Sequence, residues 1–586
     1  MLHKILIANR GEIAIRVMRT CRELGIATVA VYSELDRDAA HVRYADEAYA
    51  LGGQTAAQSY LNTDAIIDAI RTSGADGVHP GYGFFSENAD FARAVATGGV
   101  TWIGPPPEAI EIMGDKISSR LAATRSDVVS VPGTTTPITD PSEIVEFGNT
   151  YGYPIAIKAA YGGGGRGMKV VTRAEDAESA FASAAREAQA YFGRPECYME
   201  RYLTRPRHVE LQIFVDSHGN GVYVSDRDCS AQRRHQKLIE EAPAPEIPAA
   251  TRRAMGEAAV KVALGCGYVN AGTVEMLFQD GEFFFLEMNT RLQVEHCVTE
   301  EITGLDLVAE QLRVACGEPL SFTQESVTHR GHSIECRINA EDPTRNFMPS
   351  PGTITRLRIP SGPGVRWDGG YHEGDTISQY YDNLIGKLIV WAPDRDRAID
   401  RMLRALDEFD IDGVRTTIPA HRVLLAHDDF RAVRHSTKWV EDEVDSSLFA
   451  VTTTEPAASS IDDAGGTLVE RTVPVEVDGR RFSVRVWLPE APPVTAGPVG
   501  RTRPKRVATS SGTAGGDGTV TAPMQGTIVQ VLVEVGATVD VGQTILVLEA
   551  MKMENHISAT RAGTVSEIRV AAGDSVGTGD VMAVIG

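Results

Sequence analysis

Paired cysteines, membrane-length apolar runs and an excess of positive charge are all missing from this chain. Its seven cysteines (Cys21, Cys197, Cys229, Cys266, Cys297, Cys316 and Cys336) are scattered, odd in number and without Cys-x-x-Cys spacing. That excludes a disulfide scaffold or a zinc ribbon and reads as reduced thiols in a cytoplasmic protein. No apolar run reaches the roughly 20 residues that span a bilayer. The first residues run straight into Lys4-Ile5-Leu6-Ile7-Ala8, a strand pattern and not a signal sequence. Lys and Arg number 57 against 79 Asp and Glu, for a net charge of −22. Nucleic acid and anionic membrane are therefore poor partners, although local positive charge can still serve a small anion. Two nucleotide signatures are lacking as well. Asn9-Arg10-Gly11-Glu12 has a single glycine where a dinucleotide fingerprint needs more, and the glycine run at 162–167 is not followed by the Lys-Ser/Thr of a Walker A loop. What remains is ordinary: 42% hydrophobic and 23% charged residues over 586 positions, enough for roughly three to four domains with ample core.

The chain does contain an internal repeat. Gly526-Thr527, Gly536, Gly542 and Val547 recur 37 residues later as Gly563-Thr564, Gly573, Gly579 and Val584. Two similar halves thus flank Leu548-Glu549-Ala550-Met551-Lys552-Met553-Glu554-Asn555. Alternation at Ile528, Gln530 and Leu532, and again from Val565 to Ile568, predicts short half-buried strands. A lysine between paired halves then falls at a hairpin tip. An ammonium between two flexible thioethers has no packing use there. The segment resembles the biotinyl domain of biotin-dependent carboxylases, in which the lysine of Ala-Met-Lys-Met is joined by an amide to biotin. The rival, a lipoyl domain, usually carries Asp-Lys-Ala at the tip, whereas both neighbours here are Met. The resemblance implies an all-β flattened barrel over 519–586, with Lys552 modified by a biotin protein ligase.

Residues 1–445 alternate strand-like runs with helical patterns, as at 5–8 followed by 12–22, which points to α/β architecture. Near Ser446 the composition shifts to Thr, Ser, Ala and Asp, a boundary signal. A lone hairpin follows, with Val473, Val475 and Val477 before Asp478-Gly479 and Phe482, Val484 and Val486 after it. One hairpin in some 45 residues is marginal alone and calls for a surface to pack on. Residues 496–518 form a linker rich in Ala, Gly, Pro, Ser and Thr that encloses Arg501, Arg503, Lys505 and Arg506. As a flexible coil it spans about 26 Å r.m.s., enough to displace a tethered carrier by tens of ångströms.

Two features carry chemistry. Tyr161-Gly162-Gly163-Gly164-Gly165-Arg166-Gly167 follows the strand ending at Lys158, and consecutive glycines let backbone N–H groups approach phosphate oxygens. The more specific signal begins at Glu287, from which every second residue is polar: Glu287, Asn289, Arg291, Gln293 and Glu295. If extended, all five share a face and Met288, Leu292 and Val294 the other. A three-residue turn at 280–282 places Glu275 directly opposite Glu287; a two-residue turn puts them on opposite faces. Opposed carboxylates repel, so the first arrangement calls for a divalent cation, and hard oxygen ligands with Asn289 beside a phosphate cradle point to Mg²⁺ (or Mn²⁺).

Residues 1–445 resemble the biotin carboxylase subunit, an ATP-grasp enzyme. The resemblance rests on Ile7-Ala8-Asn9-Arg10-Gly11-Glu12-Ile13-Ala14, His79-Pro80-Gly81-Tyr82-Gly83, Asp226-Arg227-Asp228-Cys229-Ser230, Gln232-Arg233-Arg234-His235-Gln236-Lys237, Glu287-Met288-Asn289-Thr290-Arg291 and Val365-Arg366-Trp367. It implies an α/β (α+β) fold with an N-terminal subdomain at 1–115, an ATP-grasp domain at 116–330 and a C-terminal domain at 331–445. A small β-hairpin region at 446–495 would stand ready for partner docking. By the same resemblance Lys116 and Lys158 contact ATP phosphates under the loop of Gly163, Gly164, Gly165, Arg166 and Gly167. Glu200 and Leu203 hold adenine, His208 lies near the ribose, and Gln232 and His235 line the pocket. The family often has Lys where this chain has Arg201. Glu275, Glu287 and Asn289 would hold the metal, and Lys237, Arg291, Gln293 and Val294 bicarbonate. Bicarbonate attacking the γ-phosphorus needs a cationic clamp and a base, roles that fall to Lys237 with Arg291 and to Glu295. The resemblance assigns Arg366 to the negative charge that develops on the biotin ureido oxygen. Cys229 is expected only to pack. Fusion of biotin carboxylase to carrier resembles the α-subunits of acyl-CoA carboxylases. It implies a carboxyltransferase β-subunit as partner in a hetero-oligomer, with the hairpin at its interface. Two rivals, a carrier with a decayed catalytic domain and another ATP-grasp ligase with a biotinyl tail, leave Lys237, Arg291, Glu295 and Arg366 without purpose.

Overall fold

The computed structural model describes residues 2–134, 136–159, 168–192, 194–450, 468–477, 480–489, 518–523, 526–550, 553–577 and 579–586. The glycine loop (Gly163, Gly164, Gly165, Arg166, Gly167), the side chain of Lys116, the linker, the Asp478-Gly479 turn and Lys552 lie outside the described residues. The chain divides into two compact units, Met1–Ala450 with Val520–Gly586, and Val451–Thr519.

The N-terminal part is a parallel sheet of five strands, ordered Glu47–Ala50, Ala27–Tyr32, Lys4–Ile7, Gly77–His79 and Thr101–Trp102. Its central strands read as continuous apolar runs because helices cover both faces. The helix Gly11–Glu23 leaves the first strand and turns Ile13, Ala14, Val17, Met18 and Cys21 into one core with Phe214, Leu292 and Leu312. A separate three-stranded antiparallel sheet (Lys169–Val171, Ile155–Ala159, Cys197–Arg201) is backed by the helices Pro141–Tyr151 and Ala177–Phe192.

The body is an antiparallel sheet of eight strands, ordered Glu282–Asn289, Asn270–Gln279, Arg207–Val215, Gly221–Arg233, Gln236–Ala242, His332–Asn339, Leu384–Ala392 and Val365–Gly369. A sheet this wide buries both faces. One packs the helix Ala249–Gly265; the short helix His296–Thr303 crosses the middle of the other, with Cys297, Val298 and Ile302 buried against Ala242 and Ile389. Gly370, just past the last strand, allows a close approach, since a Cβ there would stand 2.6 Å from the Glu12 backbone nitrogen.

The 37-residue repeat folds as two sheets of four strands. One is ordered Thr519–Thr521, Val581–Ile585, Gly563–Ile568 and Thr538–Val539; the other Met553–Ser558, Thr544–Ala550, Gly526–Val531 and Ser575–Val576. The repeated strands Gly526–Val531 and Gly563–Ile568 lie in different sheets, so each half supplies both. Ala550 pairs with Met553 across the hairpin that carries Lys552. In the other unit, Leu468–Val477 pairs with Arg480–Pro489 over its full length, the lone hairpin expected from the alternation.

Glu12, in the first turn of the helix Gly11–Glu23, is buried with its carboxylate 3.5 Å from the fully buried Lys387 ammonium. Burial pushes Glu12 up from 4.5 to about 7, against the pull of Lys387. The neutral acid is thus favoured by folding. Its contribution is whole below about pH 4.5 and is lost as pH rises through about 7, a difference of about 3 kcal/mol. Glu12→Gln, which copies the neutral form, should raise the apparent Tm over wild type by a few degrees at pH 8 and by little at pH 5. A gap that does not change between those pH values would contradict the assignment.

Candidate active site

The site is laid out by strand register. Glu287 is paired with Glu275, Glu275 with Glu210 and Glu210 with Arg227, so three carboxylates and one guanidinium stand in a row across four neighbouring strands. A second row places Asn289, Thr273 and Gln212 beside them. The Glu275–Glu287 opposition arises in a way the sequence did not show. The turn has two residues, with Gln279 paired to Glu282, and the register then slips by one between Met276–Phe285 and Glu275–Glu287. A β-bulge at Leu286 therefore does what a three-residue turn was expected to do. The extended run is also shorter than its alternation suggested. The strand stops at Asn289, and residues 290–295 fold over the polar face before the helix His296–Thr303 begins.

Like charges in register repel, and the neighbours offset this from three sides. Arg227, fully buried, donates from Nε to Glu210 (2.6 Å), from Nη1 to Gln212 (2.8 Å) and Thr299 (3.0 Å), and from Nη2 to Thr273 (3.2 Å) and Gln293 (2.8 Å). Lys237 reaches in from the hairpin after Gly221–Arg233, with Nζ 2.6 Å from Glu210, 3.2 Å from Glu275 and 2.6 Å from Glu295. His208 Nε2 lies 2.9 Å from Glu275, and Asn289 and Gln293 each donate to Glu275 at 2.8 Å. Burial alone would raise the carboxyl of Glu295, but Lys237, Arg337 and Arg227 together hold it well below the usual range. Burial likewise works against the Lys237 ammonium, and Glu210, Glu275 and Glu295 more than reverse it, holding Lys237 well above its ordinary value.

The other expected residues fall into place around this centre. Arg291 pairs with Glu87 (3.0 Å) and donates to Asn289 Oδ1 (2.8 Å). Val294 presents its carbonyl to Lys387 at 2.8 Å. Gln232 donates to the Cys229 carbonyl and lies 3.3 Å from His208 Nδ1. Leu203 packs with Val131 and Phe284 in a small apolar patch. Lys158 and Arg120 both pair with Glu200, which occupies the carboxylate expected near adenine. Arg201, the departure from the family pattern, pairs with Glu282 at 2.9 Å. His235 stands exposed at the tip of the hairpin with φ 64°, and Lys116 opens the helix Lys116–Arg125.

Arg366 is not part of this constellation. It sits on the edge strand Val365–Gly369, where Asp368 (2.7 Å), Glu300 (2.9 Å) and Glu301 (3.4 Å) surround it. The guanidinium that meets Glu295 belongs to Arg337, whose strand adjoins that of Lys237. Nη2 donates to Glu295 (2.8 Å) and Nε to Glu240 (2.6 Å). Arg337, Gln236, Val294, Tyr82, Gly83 and Asn383 line a cavity of about 200 Å³ beside Glu295. Sequence reasoning missed Arg337, Arg227 and Glu210. The signal for them was polar alternation inside apolar strands, His208-x-Glu210-x-Gln212 and Glu335-x-Arg337-x-Asn339.

With acids, cations and a cavity so arranged on a split α/β scaffold, the comparisons with known proteins agree. Residues 1–110 match the biotin carboxylase N-terminal domain, 115–323 the carbamoyl-phosphate synthase L chain ATP-binding domain, 335–442 the biotin carboxylase C-terminal domain and 518–585 the biotin-requiring enzyme domain. The biotin carboxylase of Campylobacter jejuni, solved with a nucleotide, is 45% identical over 75% of this chain and 98% of its own, with a TM-score of 0.69. The biotin carboxylase domain of the Hydrogenobacter thermophilus 2-oxoglutarate carboxylase, solved with MgADP, ADP and bicarbonate, is 45% identical over 77% of this chain and 99% of its own, with a TM-score of 0.70. The protein is thus a biotin carboxylase, an ATP-dependent ligase of the ATP-grasp class, followed by a biotinyl carrier domain. More narrowly, it belongs to the α-subunits of biotin-dependent acyl-CoA carboxylases. The alpha3 subunit of Mycobacterium leprae is 47% identical over 99% of this chain and 98% of that one. The propionyl-CoA carboxylase alpha chain of Ruegeria pomeroyi is 41% identical over 99% of each. No described helix is long and apolar enough to cross a membrane.

Arg227 is the strut of the row, and shortening it leaves buried Glu210 with Lys237 as its one lysine or arginine partner among the described residues. Arg227→Lys should cost about 3–5 kcal/mol and appear as a drop of several degrees in apparent Tm, with bicarbonate KM raised through the released Gln293. Unchanged stability would show that Glu210 is held by Lys237 alone.

Proposed function

We propose that this chain carboxylates biotin on its own Lys552, using ATP, bicarbonate and Mg²⁺, as the α-subunit of an acetyl- or propionyl-CoA type carboxylase whose carboxyltransferase is a separate subunit. The observation that carries the reading is the chain of ion pairs from Lys237 through Glu295 to Arg337, the last of which lines the cavity. On this reading 1–115, 116–330 and 331–445 are the three working parts of the carboxylase, and 519–586 the carrier.

The donor set fits the proposed metal. Glu275 and Glu287 are directly opposed and Asn289 is adjacent, all hard oxygen donors. When bound, the ion would be held by these side chains and would supply positive charge to offset that of the nucleotide phosphates. Lys158, paired with Glu200 here, is the cation free to turn toward phosphate when ATP displaces that pairing, with Lys116 and the glycine loop as its proposed companions. Lys237 and Arg291 are each neutralised by carboxylates in this state. Bicarbonate must therefore draw them away, and that movement has a useful sign. As Lys237 turns from Glu295 to the anion, the group that most depresses the Glu295 carboxyl weakens. Glu295 then becomes a better base at the moment a proton has to be removed from bicarbonate. Gln293 and the Val294 segment, tied to Arg227 and Lys387, keep the turn in place. Attack on the γ-phosphorus would release ADP and leave carboxyphosphate, which would break down to CO₂ and phosphate, and the phosphate would take the biotin ureido N–H proton as that nitrogen bonds to CO₂. In the cavity Arg337, and not Arg366, is the residue that can donate to the ureido oxygen as negative charge develops there.

The full chain should release ADP only when both bicarbonate and Mg²⁺ are present, faster with free biotin, and should carry one biotinyl mass on Lys552. Arg337→Gln should lower the biotin-stimulated rate by about 100-fold or more, while Arg366→Gln keeps it within about fivefold. The reverse order would restore Arg366 to the site. The hairpin of Leu468–Val477 and Arg480–Pro489 is proposed to face the β-subunit, which would itself select the acyl-CoA. Deletion of 465–490 should abolish co-purification with the β-subunit, and retained co-purification would rule the hairpin out.

A further inference from the structure

Behind Arg337 lies a pair of acids that the reaction does not call for. Glu240 and Glu335 are directly opposed across the strands Gln236–Ala242 and His332–Asn339, and both are fully buried. Glu240 Oε1 accepts the Arg337 Nε–H at 2.6 Å, and its Oε2 has no hydrogen-bond partner among the described residues. Neither oxygen of Glu335 has one. A dry ion pair of this kind is a poor way to stabilise a fold, because desolvation consumes most of the Coulombic gain.

The geometry of the guanidinium offers a reason. Glu240 takes Nε and Glu295 takes Nη2, which are the two donors on one side of the planar group. The opposite end of the fork, Nη1, is thereby left toward the cavity that Arg337 lines. The two anchors differ in one respect. Glu295 loses its charge when it takes a proton from bicarbonate, and its hold on Arg337 then weakens. Glu240 is remote from that proton and keeps its bond throughout. Burial pushes Glu240 up to about 7, against Arg337, with Glu295 adding to the rise. Burial raises Glu335 well above the usual range, and Glu240 adds to it. Of the two, Glu335 is therefore the acid that stays protonated.

We propose that Glu240 is a positioning residue for the biotin half of the reaction: by accepting the Arg337 Nε–H it keeps the free end of the guanidinium aimed into the cavity while Glu295 is protonated. This rests on the proposed reading of the cavity as the ureido site. Glu335 serves only as a neutral neighbour.

The test uses the full chain with Lys552→Arg, which removes the tethered biotin, and two assays, bicarbonate-dependent ADP formation without biotin and the same reaction stimulated by free biotin. Glu240→Ala should lower kcat of the stimulated reaction by about 30-fold and leave the unstimulated one within about threefold. Glu240→Gln, whose amide oxygen still accepts from Nε, should return to within about fivefold of wild type, and Glu335→Gln should match wild type within about twofold. Equal losses in both assays for Glu240→Ala would mean a structural role and overturn the proposal. So would no loss in either, or a Glu240→Gln variant as impaired as the Ala variant. If wild type itself shows no bicarbonate-dependent ADP formation, the functional reading fails instead. The crystal structure of Glu240→Ala then decides this point, and an unmoved Arg337 side chain would overturn it.

Discussion

Three carboxylates in register are the constraint from which the rest of the active centre follows. Glu287, Glu275 and Glu210 are lined up by backbone pairing, not by choice of rotamer. Strands that face acids to one another, with Glu275 and Glu210 buried, must bring cations to the same place. Arg227 meets the row in register at one end, and Lys237 spans it from the neighbouring hairpin. The segment 290–295 covers it with amides that can donate as well as accept. The metal proposed for Glu275 and Glu287 belongs to the same logic, as a further cation at the end of the row opposite Arg227.

The positive charge that an anionic substrate needs is present but already spoken for. Lys237 has three carboxylate neighbours, Arg291 has Glu87, Arg337 has two acids and Lys158 has Glu200. Substrates therefore do not enter an empty cationic pocket. On the proposed reading they exchange places with protein carboxylates, so the cost of desolvating each charge is met during folding and only the difference between partners remains at binding. Such a site also resists capture by stray anions, because a weakly held ion gains too little to displace a buried ion pair. It reconciles a chain of net charge −22 with small anionic substrates.

Much of this was legible in the sequence where a motif and a period coincided. The repeat around Ala-Met-Lys-Met and the α/β alternation of the first 445 residues led to the right fold, and the run from Glu287 to Glu295 led to side chains that the structure brings together. The failures have a common cause, since each depended on which strands become neighbours. Arg366 and Arg337 both lie in strands with alternating polar residues. Only the order of the eight-stranded sheet puts Arg337 beside Lys237 and Arg366 on the edge. The Leu286 bulge was hidden for the same reason, because a slip of one residue leaves no trace in composition. Arg227 and Glu210 were visible as polar residues in apolar strands, yet without the register nothing marked them as partners.

The carrier domain shows what interlacing can do. Each repeated half gives strands to both sheets, and Val581–Ile585 lies between Thr519–Thr521 and Gly563–Ile568. The sheet to which Thr519–Thr521 and Gly563–Ile568 belong cannot be completed before that strand exists. During synthesis the carboxylase precedes this strand, so the barrel closes only after the residues upstream of Val581 have been translated. A ligase that recognises the folded hairpin would then read more than a lysine. Attachment of biotin would certify that the catalytic machinery ahead of the carrier had been made in full, and a chain cut short would carry no prosthetic group with which to occupy a partner.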